Sequence, residues 1–185
     1  MTAAAPAAHG IQAPSAWVRR WSHLVPAGAS VLDVACGHGR HMRWFRERGH
    51  PVIGVDRSPD AIAAVERLGE ALLADIESGP WPWPGRRFGA VVVTNYLWRP
   101  TLPLIVQSVD EGGALIYETF AAGNETVGKP SRPDFLLQPG ELITVCQGLR
   151  IVAYEDGFEA DPPRFVQRIA AVRQPHGAPP ARHGL

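Results

Sequence analysis

Lysine is nearly missing from this chain: Lys129 stands alone, so the positive charge rests on arginine. Cysteine is scarce as well. Cys36 and Cys146 are too few for a disulfide framework, and their spacing is not that of a zinc site. Neither sign of charge is in excess, since 18 basic and 18 acidic residues cancel. That balance argues against nucleic acid as a partner and against a solvating acidic tail. No apolar run approaches bilayer-crossing length. The Ala- and Pro-rich start, residues 1–8, has neither the basic residues nor the apolar stretch of a secretory signal. These absences lead to the expectation of a cytoplasmic protein with reduced thiols, no membrane partner and no metal.

What is present suits a folded α/β domain. A chain of 185 residues with 45% hydrophobic residues can bury one core. Residues 1–13 and 175–185 offer little to bury and read as disordered tails, leaving 14–174 as a single domain. Within it, Trp17, Val18, Trp21 and Leu24 fall on one face of a helix predicted over 15–24. Short apolar runs predict strands at 31–35, 52–55, 71–74, 88–94, 114–120, 150–157 and 164–173. Helices are expected at 40–48, 58–68, 102–109 and 140–147. The second of these has Ser58 as its N-cap and Pro59 at its first position. Strands alternating with helices imply a parallel sheet covered on both faces, whose ligand lies beyond the carboxyl ends of the strands. The last two strands are close enough in sequence to form an antiparallel hairpin.

Three features sit at those carboxyl ends. The run VLDVACGHGRH, residues 31–41, places Gly37 and Gly39 between the first strand and its helix. Glycine there allows a tight turn and close approach of a ligand. Asp56 follows the second strand, where a carboxylate can accept both hydroxyl hydrogens of a ribose. Asp75 follows the third, where it can accept from the exocyclic amine of an adenine. Each also has a plain reading: an ordinary turn, a helix-capping aspartate and a loop aspartate. The residue three after Gly39 is Met42, so the three-glycine dinucleotide fingerprint is incomplete.

Taken together, VLDVACGHGRH, VIGVD and ALLADI resemble the opening motifs of class I, Rossmann-like, S-adenosylmethionine-dependent methyltransferases. The compact size and the GRH continuation are most similar to the small bacterial tellurite-resistance (TehB-like) members. The resemblance covers roughly residues 28–173. It implies a three-layer fold with a seven-stranded sheet in the order 3-2-1-4-5-7-6, strand 7 being antiparallel. It also implies S-adenosylmethionine as cofactor and a small-molecule acceptor, a soft nucleophile or oxyanion. Asp33 would then orient the methionine end, and the backbone of Ala35, Gly37 and Gly39 would pass close to the cofactor. Asp56 would hold the ribose, Asp75 with Ile76 the adenine, and Asn95 would lie beside the reactive methyl. The chain departs from amino-methylating relatives, because Thr94-Asn95-Tyr96-Leu97-Trp98 replaces an Asn-Pro-Pro-Tyr tetrad. Two other classes compete: a nicotinamide-dependent oxidoreductase and a non-catalytic, cofactor-binding accessory subunit.

Methyl transfer needs alignment more than proton removal, so a base is optional. Glu118 and His38 are the candidate bases. The alternative for Glu118 is an ion pair with Arg99 or Arg132; for His38 it is an exposed loop position. Residues 121–133 form a long polar loop, either a lid or a plain connector. Tyr96, Arg99, Asn124 and Lys129 are the candidate substrate contacts, and Trp81, Trp83 and Trp98 either wall the pocket or pack the core. Cys36 reads as a buried turn residue, having no basic neighbour to activate it.

Overall fold

The computed structural model describes residues 12–179 and 181–185. The N-terminal tail expected over 1–13 therefore lies outside the described residues as far as residue 11. Residues 173–185, where described, carry no helix or strand, and the carbonyl of Gly184 meets His23.

The chain alternates as its apolar runs suggest. Helix α1 (Ala16–Trp21) is followed by strand β1 (Val31–Val34), α2 (Arg40–Arg46), β2 (Val52–Asp56), α3 (Pro59–Val65) and β3 (Glu70–Leu73). Then come β4 (Phe88–Thr94), α4 (Leu102–Gln107), β5 (Val109–Phe120), α5 (Glu141–Val145), β6 (Arg150–Ala160) and β7 (Pro163–Val172). Ser58 caps α3 through its hydroxyl, which accepts from the Ala61 amide, and Pro59 occupies the first turn. Ser15 caps α1 in the same way, accepting from the amides of Trp17 and Val18. Single-turn 3-10 segments cover Ser22–Leu24 and Arg99–Thr101, so the expected helix at 15–24 is α1 plus a tightened last turn.

The sheet order is β3-β2-β1-β4-β5-β7-β6. Strands β1 to β5 pair in parallel, and β7 runs antiparallel to both of its neighbours. This is the expected topology. Its antiparallel closing hairpin disfavours the nicotinamide-dependent reading. Strand β5 begins five residues earlier than its apolar run suggested. Val109 pairs with Phe88, and the register shifts before Ala114 meets Ala90. The exposed Asp110 and Glu111 and two glycines hid this extension, because pairing here is backbone chemistry with little burial.

Side chains alternate across the strands and feed two cores. Leu32, Val34, Val91, Val93, Leu115 and Tyr117 face α4 and α5. Val31, Val92, Ala114 and Ile116 face the other way, against Trp17, Trp21, Met42 and Phe45 of α1 and α2. The Trp17 indole donates to the Ile169 carbonyl and ties α1 to the sheet (3.2 Å). Among the described residues, no helix is long and apolar enough to cross a membrane.

The 121–133 segment is held at both ends. The Ala121 amide donates to the Phe165 carbonyl, and a parallel bridge joins Ala121 to Leu137: the Leu137 amide donates to the Phe120 carbonyl, and the Ala122 amide to that of Leu137. Asn124 is fully buried. Its amide nitrogen donates to the Pro130 carbonyl (2.9 Å), and its oxygen accepts from the Phe165 amide (3.1 Å). Gly123, at φ +104, lies flat on the Phe165 ring, where a Cβ would come within 2.9 Å of the ring. Replacing Asn124 by Ala leaves two backbone groups without their partner, and should lower stability by about 1–3 kcal/mol. Lys129→Ala, an exposed change, should stay within about 0.5 kcal/mol. Urea denaturation of the two variants checks this; equal stability would show that Asn124 does not pin the loop.

Candidate functional site

A cleft of about 200 Å³ opens at the carboxyl ends of β1, β2 and β3. Ala35, Val55, Asp56, Arg57, Ala74, Asp75, Ile76, Glu77 and Tyr96 line it. Parallel register brings these residues together: Val34 lies beside Val55, and Asp56 beside Leu73, so the three strand ends turn at one level.

The turn after β1 is shaped by its backbone. Ala35 sits at φ +53, a sparsely populated conformation for a residue with a Cβ, and Gly37 and Gly39 follow at positive φ. At Gly39 a Cβ would come within 2.4 Å of Val65 on α3, so only glycine fits between loop and helix. The Gly37 amide donates to Asp56 Oδ2, and the Ser58 amide to Asp56 Oδ1, both at 2.9 Å. Asp56 is thereby fixed at the mouth of the cleft, with lone pairs left for further donors.

Asp75 is organised in the same manner. Its carboxylate accepts from the Ser78 hydroxyl (2.7 Å) and the Glu77 amide (2.9 Å). Those bonds, the hydroxyl's first, hold its pKa below the usual carboxylate value. Ile76 is buried beside it. Asp33 lies deeper, in β1, with only 2% exposure; its Oδ2 is buried and accepts no hydrogen bond. A buried carboxylate oxygen in that condition favours a cationic partner. Cys36 is buried in the same turn, where desolvation and then the charges of Asp33 and Asp56 push its thiol well above the ordinary range. It is a packing residue, as its neighbours in sequence suggested.

The structure separates the remaining sequence candidates. Asn95 is exposed just past β4, at φ +55, and its amide donates to the Glu118 carbonyl. Tyr96, expected on the acceptor side, lines the cleft with Asp56 and Asp75. Its hydroxyl is buried without a hydrogen-bond partner, and burial raises its pKa to about 12. Its backbone carbonyl is fixed by the Tyr117 hydroxyl. None of Trp81, Trp83 and Trp98 lines the cleft; Trp83 is buried against Phe88 and Trp81 packs edge-on to it.

Glu118 is 2% exposed and bonded on both oxygens. Arg168 Nε donates to Oε2, and the Ser15 hydroxyl donates to Oε1 (3.1 Å). An arginine partner was expected at Arg99 or Arg132; it is Arg168, which the antiparallel register sets directly opposite Glu118. Arg99 instead clamps Glu141 and the carbonyls of Asp134 and Leu136, and Arg132 pairs with Asp134. His38 is exposed on the glycine turn, its carbonyl accepting from Arg43. Lys129 is exposed at the far end of the pinned loop.

Sequence inspection missed Arg57, Glu77, Val55 and Ala74 as cleft residues. Their positions beside Asp56 and Asp75 were the available signal. His41 was also passed over. It is buried against Asp33 on the α2 face, and no sequence pattern distinguishes it from a core histidine.

Known proteins share this architecture. Residues 31–111 match the family described as "Methyltransferase domain". A malonyl-[acyl-carrier protein] O-methyltransferase of Serratia marcescens is 32% identical over 106 residues, 52% of this chain and 40% of that protein. A tRNA U34 carboxymethyltransferase of Shewanella piezotolerans is 32% identical over 133 residues, 60% of this chain and 39% of that protein. The chain thus spans about two fifths of the length of these curated relatives. The crystal structure of TehB from Haemophilus influenzae superposes with a TM-score of 0.67 at 19% identity, over 92% of this chain and 64% of that one. The matched segment, the strand order and the antiparallel seventh strand make this chain similar in fold to class I, S-adenosylmethionine-dependent methyltransferases.

Proposed function

We propose that this protein transfers a methyl group from S-adenosylmethionine to a small-molecule acceptor in the cytoplasm. The observation that carries the reading is the pair Asp56 and Asp75 lining one cleft, with Asp33, one oxygen unbonded, buried in β1 just before the glycine turn. That set suits a ligand with an ammonium at one end, a diol in the middle and an adenine amine at the other. In this assignment Asp33 receives the ammonium, Asp56 the ribose hydroxyls, and Asp75 with Ile76 the adenine. The backbone at Ala35, Gly37 and Gly39 lies alongside, and Asn95 borders the reacting end. When bound, the cofactor supplies an electrophilic methyl on a sulfonium.

The chain's own contribution is placement and exclusion of water, which can remove roughly 7–11 kcal/mol from such a barrier. Glu118 is held by Arg168 and Ser15, an arrangement that favours framing the acceptor side over accepting a proton. A soft anionic acceptor has a lone pair available and needs no base. The balanced charge of the chain favours a small acceptor over nucleic acid, although the curated relatives include an enzyme named for tRNA.

Two measurements check this. Asp56→Ala should weaken S-adenosylmethionine by about 1–3 kcal/mol in calorimetry, the scale of lost hydrogen bonds to a charge. An unchanged dissociation constant would remove Asp56 from the site. Incubation with a panel of oxyanions, thiols and small aromatic acids should yield S-adenosylhomocysteine with one acceptor class, and far less with Asp56→Ala. Tight cofactor binding without turnover on any of these, but with turnover on RNA, would overturn the small-molecule assignment.

A further inference from the structure

On the α1/α2 side of the sheet three charged residues are buried or nearly so: Asp33 of β1 and, beyond β4, the paired Glu118 of β5 and Arg168 of β7. Glu118 and Arg168 satisfy each other. Asp33 does not share in that pair. His41 Nδ1 lies 3.8 Å from the unbonded Oδ2 of Asp33, and His41 is itself only 2% exposed.

The other nitrogen of His41 decides what this ring can do. The backbone amide of Ser15 donates to His41 Nε2 at 3.2 Å. An amide N–H can only donate, so Nε2 must carry the lone pair and the ring proton must sit on Nδ1. The ring's N–H thus sits on the nitrogen that faces Asp33. At 3.8 Å that N–H is too far for a hydrogen bond, so it steers the carboxylate without neutralising it. Ser15 in turn is held firmly: its hydroxyl caps α1 and donates to Glu118.

We infer that His41 is a positioning residue for the methyl donor. Its Nδ1–H holds the Asp33 carboxylate ready for the donor's ammonium, and the Ser15 amide sets the tautomer that makes this possible. The segment leading into α1 is thereby coupled to cofactor affinity. The inference rests on the assignment of Asp33 to the ammonium.

Two ligands separate this role from simple packing. S-adenosylhomocysteine carries the amino-acid end; 5′-methylthioadenosine has the nucleoside without it. His41→Phe should weaken S-adenosylhomocysteine several-fold, less than the loss of a full hydrogen bond to a charge, and leave 5′-methylthioadenosine unchanged. His41→Asn, whose amide nitrogen can stand where Nδ1 does, should restore most of the loss. Ser15→Pro deletes the amide hydrogen at a residue whose φ of −51° already suits proline. It should weaken S-adenosylhomocysteine more than Ser15→Ala, which keeps that hydrogen. Equal loss of both ligands in His41→Phe, or no loss of either, overturns the inference. Asp33→Asn distinguishes the two levels. If it leaves S-adenosylhomocysteine binding intact, the assignment of Asp33 fails. If it weakens that binding while His41→Phe does not, the inference alone fails.

Discussion

The Gly37 amide reaches across from the first strand's turn to the carboxylate of Asp56 at the end of the second. Much of the site's geometry depends on this contact. It fixes the height of the glycine turn over the sheet, sets the rotamer of the acid at the cleft mouth, and leaves Ala35 in a left-handed conformation facing the same opening. The bond exists because parallel register puts Val34 next to Val55, so the two chains leave the sheet at one level. Gly39 then lets α3 close against the loop, and the cleft becomes a rigid feature of the fold.

The other half of the carboxyl edge is built differently. There the sheet turns antiparallel, and charged side chains form rungs across it: Glu118, Arg168 and Glu155 stand opposite one another on β5, β7 and β6. Burial opposes the charge on Arg168, but its bonds to Glu159 and the attraction of Glu118 outweigh that cost and raise its pKa. The 121–133 segment is stitched to this half by Asn124 and, farther on, by the Arg99 clamp. It is a frame with little slack, and Glu125 and Lys129 lie on its exposed tip. The first helix joins the two halves, since Ser15 contacts His41 on the donor side and Glu118 on the other.

Much of this was legible in the residues. Apolar runs located seven strands, most plainly β1, β2 and β4, because a strand buried on both faces must be apolar along its length. Ser58-Pro59 announced a helix start, since the cap is a contact between residues three apart. Asp56 and Asp75 could be nominated because their place at a strand end is a property of local order. The extension of β5 was not legible, because exposed Asp110, Glu111 and two glycines pair by backbone alone.

The sequence by itself therefore determined the class of fold, the glycine turn and the order of acids along the chain, each read from a local pattern of one strand and the turn that follows it. Tertiary structure alone decided which arginine meets Glu118, because strand register between β5 and β7 is fixed by packing and not by local pattern. It decided that Tyr96 turns toward Asp75, that Asn124 is buried as a pin, and that His41 faces Asp33 with its proton directed by an amide 26 residues away in the chain. Each is a contact between segments distant in sequence. Residue types narrow such contacts to a few options, and the shape of the closed core selects one.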